Sequence, residues 1–141
     1  MSEQNKAAVR SFINEVFNSR NPAALDRILA EGYVDHSPFP NQPPGREGFK
    51  QMIGGFLAAF PDFHATIEDM VAEGDKVVVR VTATGTHQGD FMGIPATGKP
   101  FKYQEIHIAR IADGKMAEHW GVEDILGMLQ QLGVVQPPEQ G

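Results

Sequence analysis

There is no cysteine anywhere in the 141 residues. Neither a disulfide framework nor thiolate chemistry is open to this chain, and the cytoplasm is the expected compartment. Clustered basic charge is missing too. The formal net charge is -6 and no run of Lys or Arg occurs, which argues against nucleic acid as a partner, because phosphate binding needs a concentrated positive surface. No apolar run approaches the length that crosses a bilayer, and the opening MSEQNKAAVR lacks the apolar region of a signal peptide, so no membrane partner is expected. Three signature patterns are absent as well. The five histidines show neither helical i, i+4 nor short-loop ligand spacing, and no metal is expected. GIPATGK ends in Gly-Lys but lacks the P-loop pattern, and its lysine opens a strand instead of a helix. No G-x-S-x-G elbow presents a nucleophilic serine. What remains is 41% hydrophobic and 21% charged, an ordinary composition long enough for one domain with a real core. A small molecule or another protein is the expected partner.

The pattern along the chain is helices first, strands after. Val9, Phe12, Ile13, Val16 and Phe17 form one helical stripe, with Ser2 available as its cap. Asn21-Pro22 is a cap-and-proline start for a short second helix with Leu25, Ile28 and Leu29 inward and Gly32 as its stop. Residues 33–45, YVDHSPFPNQPPG, read as a loop of fixed shape. Tyr33, His36 and Phe39 are large for a connector, and such loops often lie over binding sites. A third helix over 46–60 carries Phe49, Met52, Ile53, Phe56, Leu57 and Phe60 on one face. Gly54-Gly55 inside it costs about 1 kcal/mol per glycine against alanine, and close packing against another element is one explanation. Strands are expected over 63–72, 76–87, 101–112 and 115–122, then a helix over 123–132 and a tail at 134–141. This order is α+β, and it suggests a strongly curved sheet that covers the helices and leaves a pocket inside.

The chemistry concentrates in KPFKYQEIHIARIADGKMAEHWGVED, residues 99–124. Here Glu105, His107, Glu118, His119, Glu123 and Asp124 alternate with apolar residues around the primed turn Asp113-Gly114. Enolising a carbon beside a carbonyl needs a base at the C–H and a donor for the developing oxyanion. His107 and His119 suit that work near neutral pH. Residues 105 and 107 share a face, as do 119 and 121. A plain two-residue turn pairs Ala112 with Lys115 and so sets His107 opposite Trp120, on the face away from His119. A one-residue bulge reverses that assignment. Both registers are open to this sequence.

The stretches YVDHSPFP, GTHQGDFMGIPATGKPF, QEIHIARIADGKMAEHW and DILGMLQQLG, in that order, make the chain resemble the SnoaL-like polyketide cyclase (ester cyclase) family of the NTF2-like superfamily. The resemblance runs from the first helix to the last. It implies an α+β cone-shaped barrel with a curved, mostly antiparallel sheet wrapped around a long helix, as a homodimer. It also implies a cofactor-free intramolecular aldol reaction closing a ring of a polyketide methyl ester. In the family an aspartate on the strand before the last helix works with a histidine on the neighbouring strand. The histidine falls on His107. The aspartate position, directly after His119-Trp120, is Gly121 here. The superfamily also holds steroid-isomerase-like and epoxide-hydrolase-like enzymes, and a non-catalytic pocket that binds a small apolar ligand is the further alternative.

The expected catalytic set is therefore His107, with Glu105, His119 or Asp124 assisting. Glu105 has an edge salt bridge as its alternative role, His119 a hydrogen bond within the hairpin, and Asp124 a cap on the last helix. His36 is expected at the pocket mouth or pinning its own loop. Tyr33, Phe56, Phe60, Trp120 and Met92 are expected to line the substrate pocket, with core packing the alternative for the apolar ones. His64 is expected on the surface and His87 in a turn.

Overall fold

The computed structural model describes residues 2–136, so the end of the expected tail, residues 137–141, lies outside them. The chain opens with α1 (Ser2–Ser11), which widens without a break into a π-helical stretch, Phe12–Asn18. A 3-10 turn at Pro22–Ala24 leads into the single turn α2 (Leu25–Ile28). The remaining elements are β1 (Leu29–Asp35), α3 (Gly45–Ala59), β2 (His64–Glu73), β3 (Lys76–Thr86), β4 (Pro100–Ala112), β5 (Lys115–Glu123) and α4 (Ile125–Gln131). The sheet order is β1-β5-β4-β3-β2, with β1 parallel to β5 and every other neighbour antiparallel. It is the curved, unclosed α+β sheet that the sequence suggested. No helix among the described residues is long and apolar enough to cross a membrane.

The strands read from alternation form where alternation is strict. On β3, Val77, Val79, Val81 and Ala83 are buried while the residues between them are partly exposed. This row packs against the helices with Phe101, Tyr103 and Ala109 of β4. From the helices come Phe12, Ile13 and Val16, and Phe49, Ile53, Phe56 and Leu57 of α3. Phe56 sits centrally among aromatic rings, with Phe60 and Phe63 each 4.9 Å away and Phe91 at 5.9 Å. Arg20 ties the first helix to α3. Its guanidinium donates to the carbonyls of Leu57 (2.9 Å), Phe60 (2.8 Å) and Phe63 (3.3 Å), at the end of α3 and in the turn that follows it.

Four local expectations change. Leu29 begins a strand instead of ending a helix, and Gly32 lies within it. β5 supplies main-chain partners that the sequence around residue 30 does not advertise, and the backbone N–H of His36 donates to the His119 carbonyl at 2.9 Å. The proline-rich loop accordingly starts only after Asp35. Asn21 makes no side-chain capping bond. A Cβ at Gly54 or Gly55 would meet open space, so close packing does not account for that pair. It does account for Gly48, where a Cβ would fall 1.8 Å from the Pro43 carbonyl oxygen. At the other end, Asp124 is the N-cap of α4 and accepts a 2.9 Å bond from the Gly127 N–H.

Candidate active site

The β4–β5 hairpin turns through Asp113 and Gly114, both at positive φ (52° and 78°), the primed geometry that matches strand twist. Ala112 pairs with Lys115 and Ile111 with Met116, but Arg110 pairs with Glu118. Ala117 is thus an extra residue on β5, and Met116 and Ala117 are both buried side by side. That bulge resolves the register. His107 lies opposite Gly121, Glu105 opposite Glu123, and Ile108 opposite Trp120. Residues 105, 107 and 109 therefore share the inner face with 119, 121 and 123.

On that face four side chains form a chain. Asp35, at the end of β1, accepts a 2.9 Å bond from His119 Nδ1. His119 Nε2 lies 2.8 Å from His107 Nδ1, and His107 Nε2 lies 3.3 Å from Glu105 Oε1. The partners order the protons. An ionised carboxylate only accepts, so His119 Nδ1 carries hydrogen. Its Nε2 then accepts from Nδ1–H of His107, leaving Nε2 of His107 toward Glu105. Asp35 is held from three sides, since Ser37 N–H (3.0 Å) and Gln42 Nε2 (3.0 Å) also donate to it. Gly121 permits the arrangement: a Cβ there would stand 2.6 Å from His107 Nδ1 and 3.0 Å from His119 Nε2.

The electrostatics follow from burial and neighbours. Burial works against ionising Asp35, but the bonds from His119 and Gln42, with the His119 charge, outweigh it and hold the carboxyl below its ordinary range. For His107 burial disfavours the charged ring, yet the bond and charge of Glu105, then the charges of Glu123 and Asp35, raise it above the ordinary imidazole value. Glu123 is pushed up to about 7, by burial first and then by the Glu105 carboxylate, against the pull of His107. Burial, then the charges of Glu105 and Glu123, push Tyr103 well above the ordinary phenol range, so its hydroxyl stays a donor, 3.3 Å from Glu105 Oε2.

These groups line one end of a cavity of about 60 Å³. Its apolar wall is Phe12, Phe17, Phe39, Phe49, Met52, Ile53 and Phe56, with Val79 and Val81 behind, and its polar end is Asp35, Ser37, Glu105, His107, His119 and Glu123. The volume is well below the roughly 300–1,000 Å³ of sites that engulf drug-sized ligands. Among the described residues, one group has donor types and spacing for a cation: Glu105, His107 and Glu123, whose ligand atoms lie within 4.8 Å of one another. Sequence spacing does not show that set, because it spans two strands.

Of the residues singled out from sequence, His107, His119, Glu105 and Phe56 meet at this cavity. The others are placed elsewhere. Trp120 points to the outer face of the sheet, because the bulge gives it the opposite side from His107. There it stacks on His36 at 4.7 Å, while His36 Nε2 bonds Glu118 at 2.7 Å. Neither lines the cavity, and His36 pins its loop to the sheet. Met92 is exposed at the apex of a tight turn closed by Phe91 and Ile94, where its φ of 52° turns the chain. Tyr33 and Phe60 are buried in the core behind the cavity wall, Tyr33 against Phe49 and Phe60 against Phe101. Asp124 is occupied as a cap. Sequence reasoning missed Asp35, placed in a loop, and named Glu123 among the acids of the hairpin without giving it a role. The two-residue spacing of 119, 121 and 123 was the available signal for Glu123.

This geometry has known relatives. Aklanonic acid methyl ester cyclase DauD from Streptomyces sp. (strain C5) is 34% identical over 119 residues, covering 83% of this chain and 71% of that one. Nogalonic acid methyl ester cyclase from Streptomyces nogalater is 33% identical over 128 residues, 89% of this chain and 95% of that one. The structure of TsrD from Streptomyces laurentii superposes with a TM-score of 0.85 at 34% identity, covering 94% of this chain and 97% of that one. The family model described as SnoaL-like polyketide cyclase matches residues 7–132, from the first helix to the end of α4, and the chain belongs to that family.

Proposed function

We propose that this protein is a cofactor-independent cyclase that closes a ring by intramolecular aldol addition in an apolar carbonyl compound of polyketide type. The observation that carries the reading is the Asp35–His119–His107 chain, which holds one imidazole nitrogen at the polar end of an aromatic-walled cavity. The reading also draws on the two relatives named as methyl ester cyclases. In its neutral form His107 takes the proton from the carbon beside the carbonyl, and the enolate attacks a second carbonyl of the same molecule. His119 and Asp35 orient the ring and stabilise its charged form. A cavity of about 60 Å³ holds only the reacting end of a multi-ring substrate. The rest of the substrate extends past Ser37 and Phe39 or displaces the phenyl rings of α3. On the outer face, exposed Ile106 and Val122 pair across the strands beside Ile108 and Trp120, a surface suited to the homodimer that the family resemblance implies.

The test is incubation with aklanonic or nogalonic acid methyl ester, followed by chromatography and mass spectrometry. A ring-closed isomer of unchanged mass is expected, formed equally well with a chelator present, and His107→Ala should lower turnover by about 10²–10⁴. Full turnover by that variant would sink the proposal. Gly121 favours a second reading, a binding-only pocket. Robust turnover by the unaltered protein would end it.

A further inference from the structure

Glu123 closes β5 on the inner face, directly across from Glu105 on β4. It lines the cavity, and no hydrogen-bond partner for its carboxyl occurs among the described residues. Glu105, by contrast, lies within reach of Tyr103 Oη on one oxygen and of His107 Nε2 on the other. Two carboxyls facing each other across a strand pair, largely out of water, do not both ionise without cost. Glu105 has the Tyr103 hydroxyl as a donor for its charge and Glu123 has none. The shared proton therefore belongs on Glu123, whose free O–H faces the cavity instead of a protein acceptor. The charged and titratable groups facing it are Glu105, His107 and Tyr103 from β4 and Asp35 from β1. The apolar rings of α3 and the π-helical stretch close the other side.

We propose that Glu123 is the general acid of the cyclisation, the group that protonates the carbonyl oxygen as the new carbon–carbon bond forms. This rests on the cyclase reading above and replaces, from two residues further along the strand, an acid that Gly121 cannot supply. The proton count closes. His107 Nε2 takes the proton from the α-carbon, and the electron pair of that C–H bond forms the new carbon–carbon bond. The π pair of the attacked carbonyl moves to its oxygen, which takes the proton of Glu123. Once the product leaves, the imidazolium of His107 returns its proton to the Glu123 carboxylate through one water, the two groups lying within 4.8 Å. Substrate and product are isomers, and no other reactant is consumed. Base and acid must be neutral imidazole and protonated carboxyl together, so turnover follows a bell-shaped pH profile, with the alkaline fall set by Glu123 near 7.

Glu123→Ala should lower kcat by about 10²–10³-fold with KM little changed. Glu123→Gln keeps a hydrogen-bond donor but has no proton to give. It should retain more activity than the alanine variant and lose the alkaline fall of the profile. Without substrate, infrared difference spectra recorded near pH 6 should show a protonated carboxyl band that Glu123→Gln removes. An unaltered alkaline limb in Glu123→Gln, or a carboxyl band that persists in it, would overturn this assignment and leave the cyclase reading standing. Absence of ring closure by the unaltered protein would instead remove the cyclase reading.

Discussion

Replacing Gly121 with alanine presses one methyl group against the hydrogen bond on which the site is built. The added Cβ would lie 2.6 Å from His107 Nδ1 and 3.0 Å from His119 Nε2, too close to both of two nitrogens that are 2.8 Å apart. Neither ring can simply swing aside. His119 is anchored through Nδ1 to Asp35 at 2.9 Å, and His107 faces Glu105 at 3.3 Å. The rings must part. Losing a buried, partly charged hydrogen bond costs about 1–3 kcal/mol, while exchanging glycine for alanine in a strand returns roughly 0.5–1 kcal/mol. The net expectation is a loss of about 1–2 kcal/mol, seen as a fall in Tm of roughly 3–8 °C for a domain of this size. NMR of the His107 ring should show its titration moved from the wild-type midpoint, and turnover should fall with it. A variant with wild-type Tm and an unchanged His107 titration would mean that His107 and His119 are not joined in solution, and the relay would go with it. Gly121→Asp adds a carboxylate at the same point. It should break the His107–His119 bond equally, so it does not restore activity by simple addition. If it created turnover where the parent has none, the binding-only reading would be right.

Three further outcomes follow from the same structure. With Glu123 raised to about 7 when folded against an ordinary 4.5, the native state holds a proton that the unfolded chain releases earlier; stability should decline by roughly 2–4 kcal/mol as pH rises between those values. The raised His107 adds a decline in the same direction above its ordinary 6.5, and denaturant titrations of Glu123→Gln across pH should show a flatter curve than wild type. Asp35→Asn should lower the NMR titration midpoint of His107, because the Asp35 charge is one of the causes holding it up; an unmoved midpoint would disconnect Asp35 from the site. Gly54→Ala and Gly55→Ala point into open space at ordinary helical φ, so each should raise stability by about 0.5–1 kcal/mol, and a loss would mean that the added methyl meets a neighbour.

Local pattern carried much of this protein. The α3 stripe from Phe49 to Leu57, the alternation of β3 and the Asp113-Gly114 turn were legible because each depends on residues a few positions apart, and they appear in the structure where the pattern put them. The quoted motifs were also enough to point to the SnoaL-like family. The site was legible only in part. His107, His119 and Glu105 stood out as polar groups on apolar strands, but which of them shared a face turned on one unpaired residue, Ala117. Nothing in the identity of an alanine announces a bulge. It arises when twist, turn and the packing of Met116 and Ala117 are satisfied together. Asp35 was invisible for a related reason. It lies 84 positions from the histidine it holds, on a strand whose partner is parallel and remote, and its residues favour no strand by themselves. Short-range periodicity chose the elements. Register and long-range pairing, which depend on how the sheet closes over the helices, chose the chemistry.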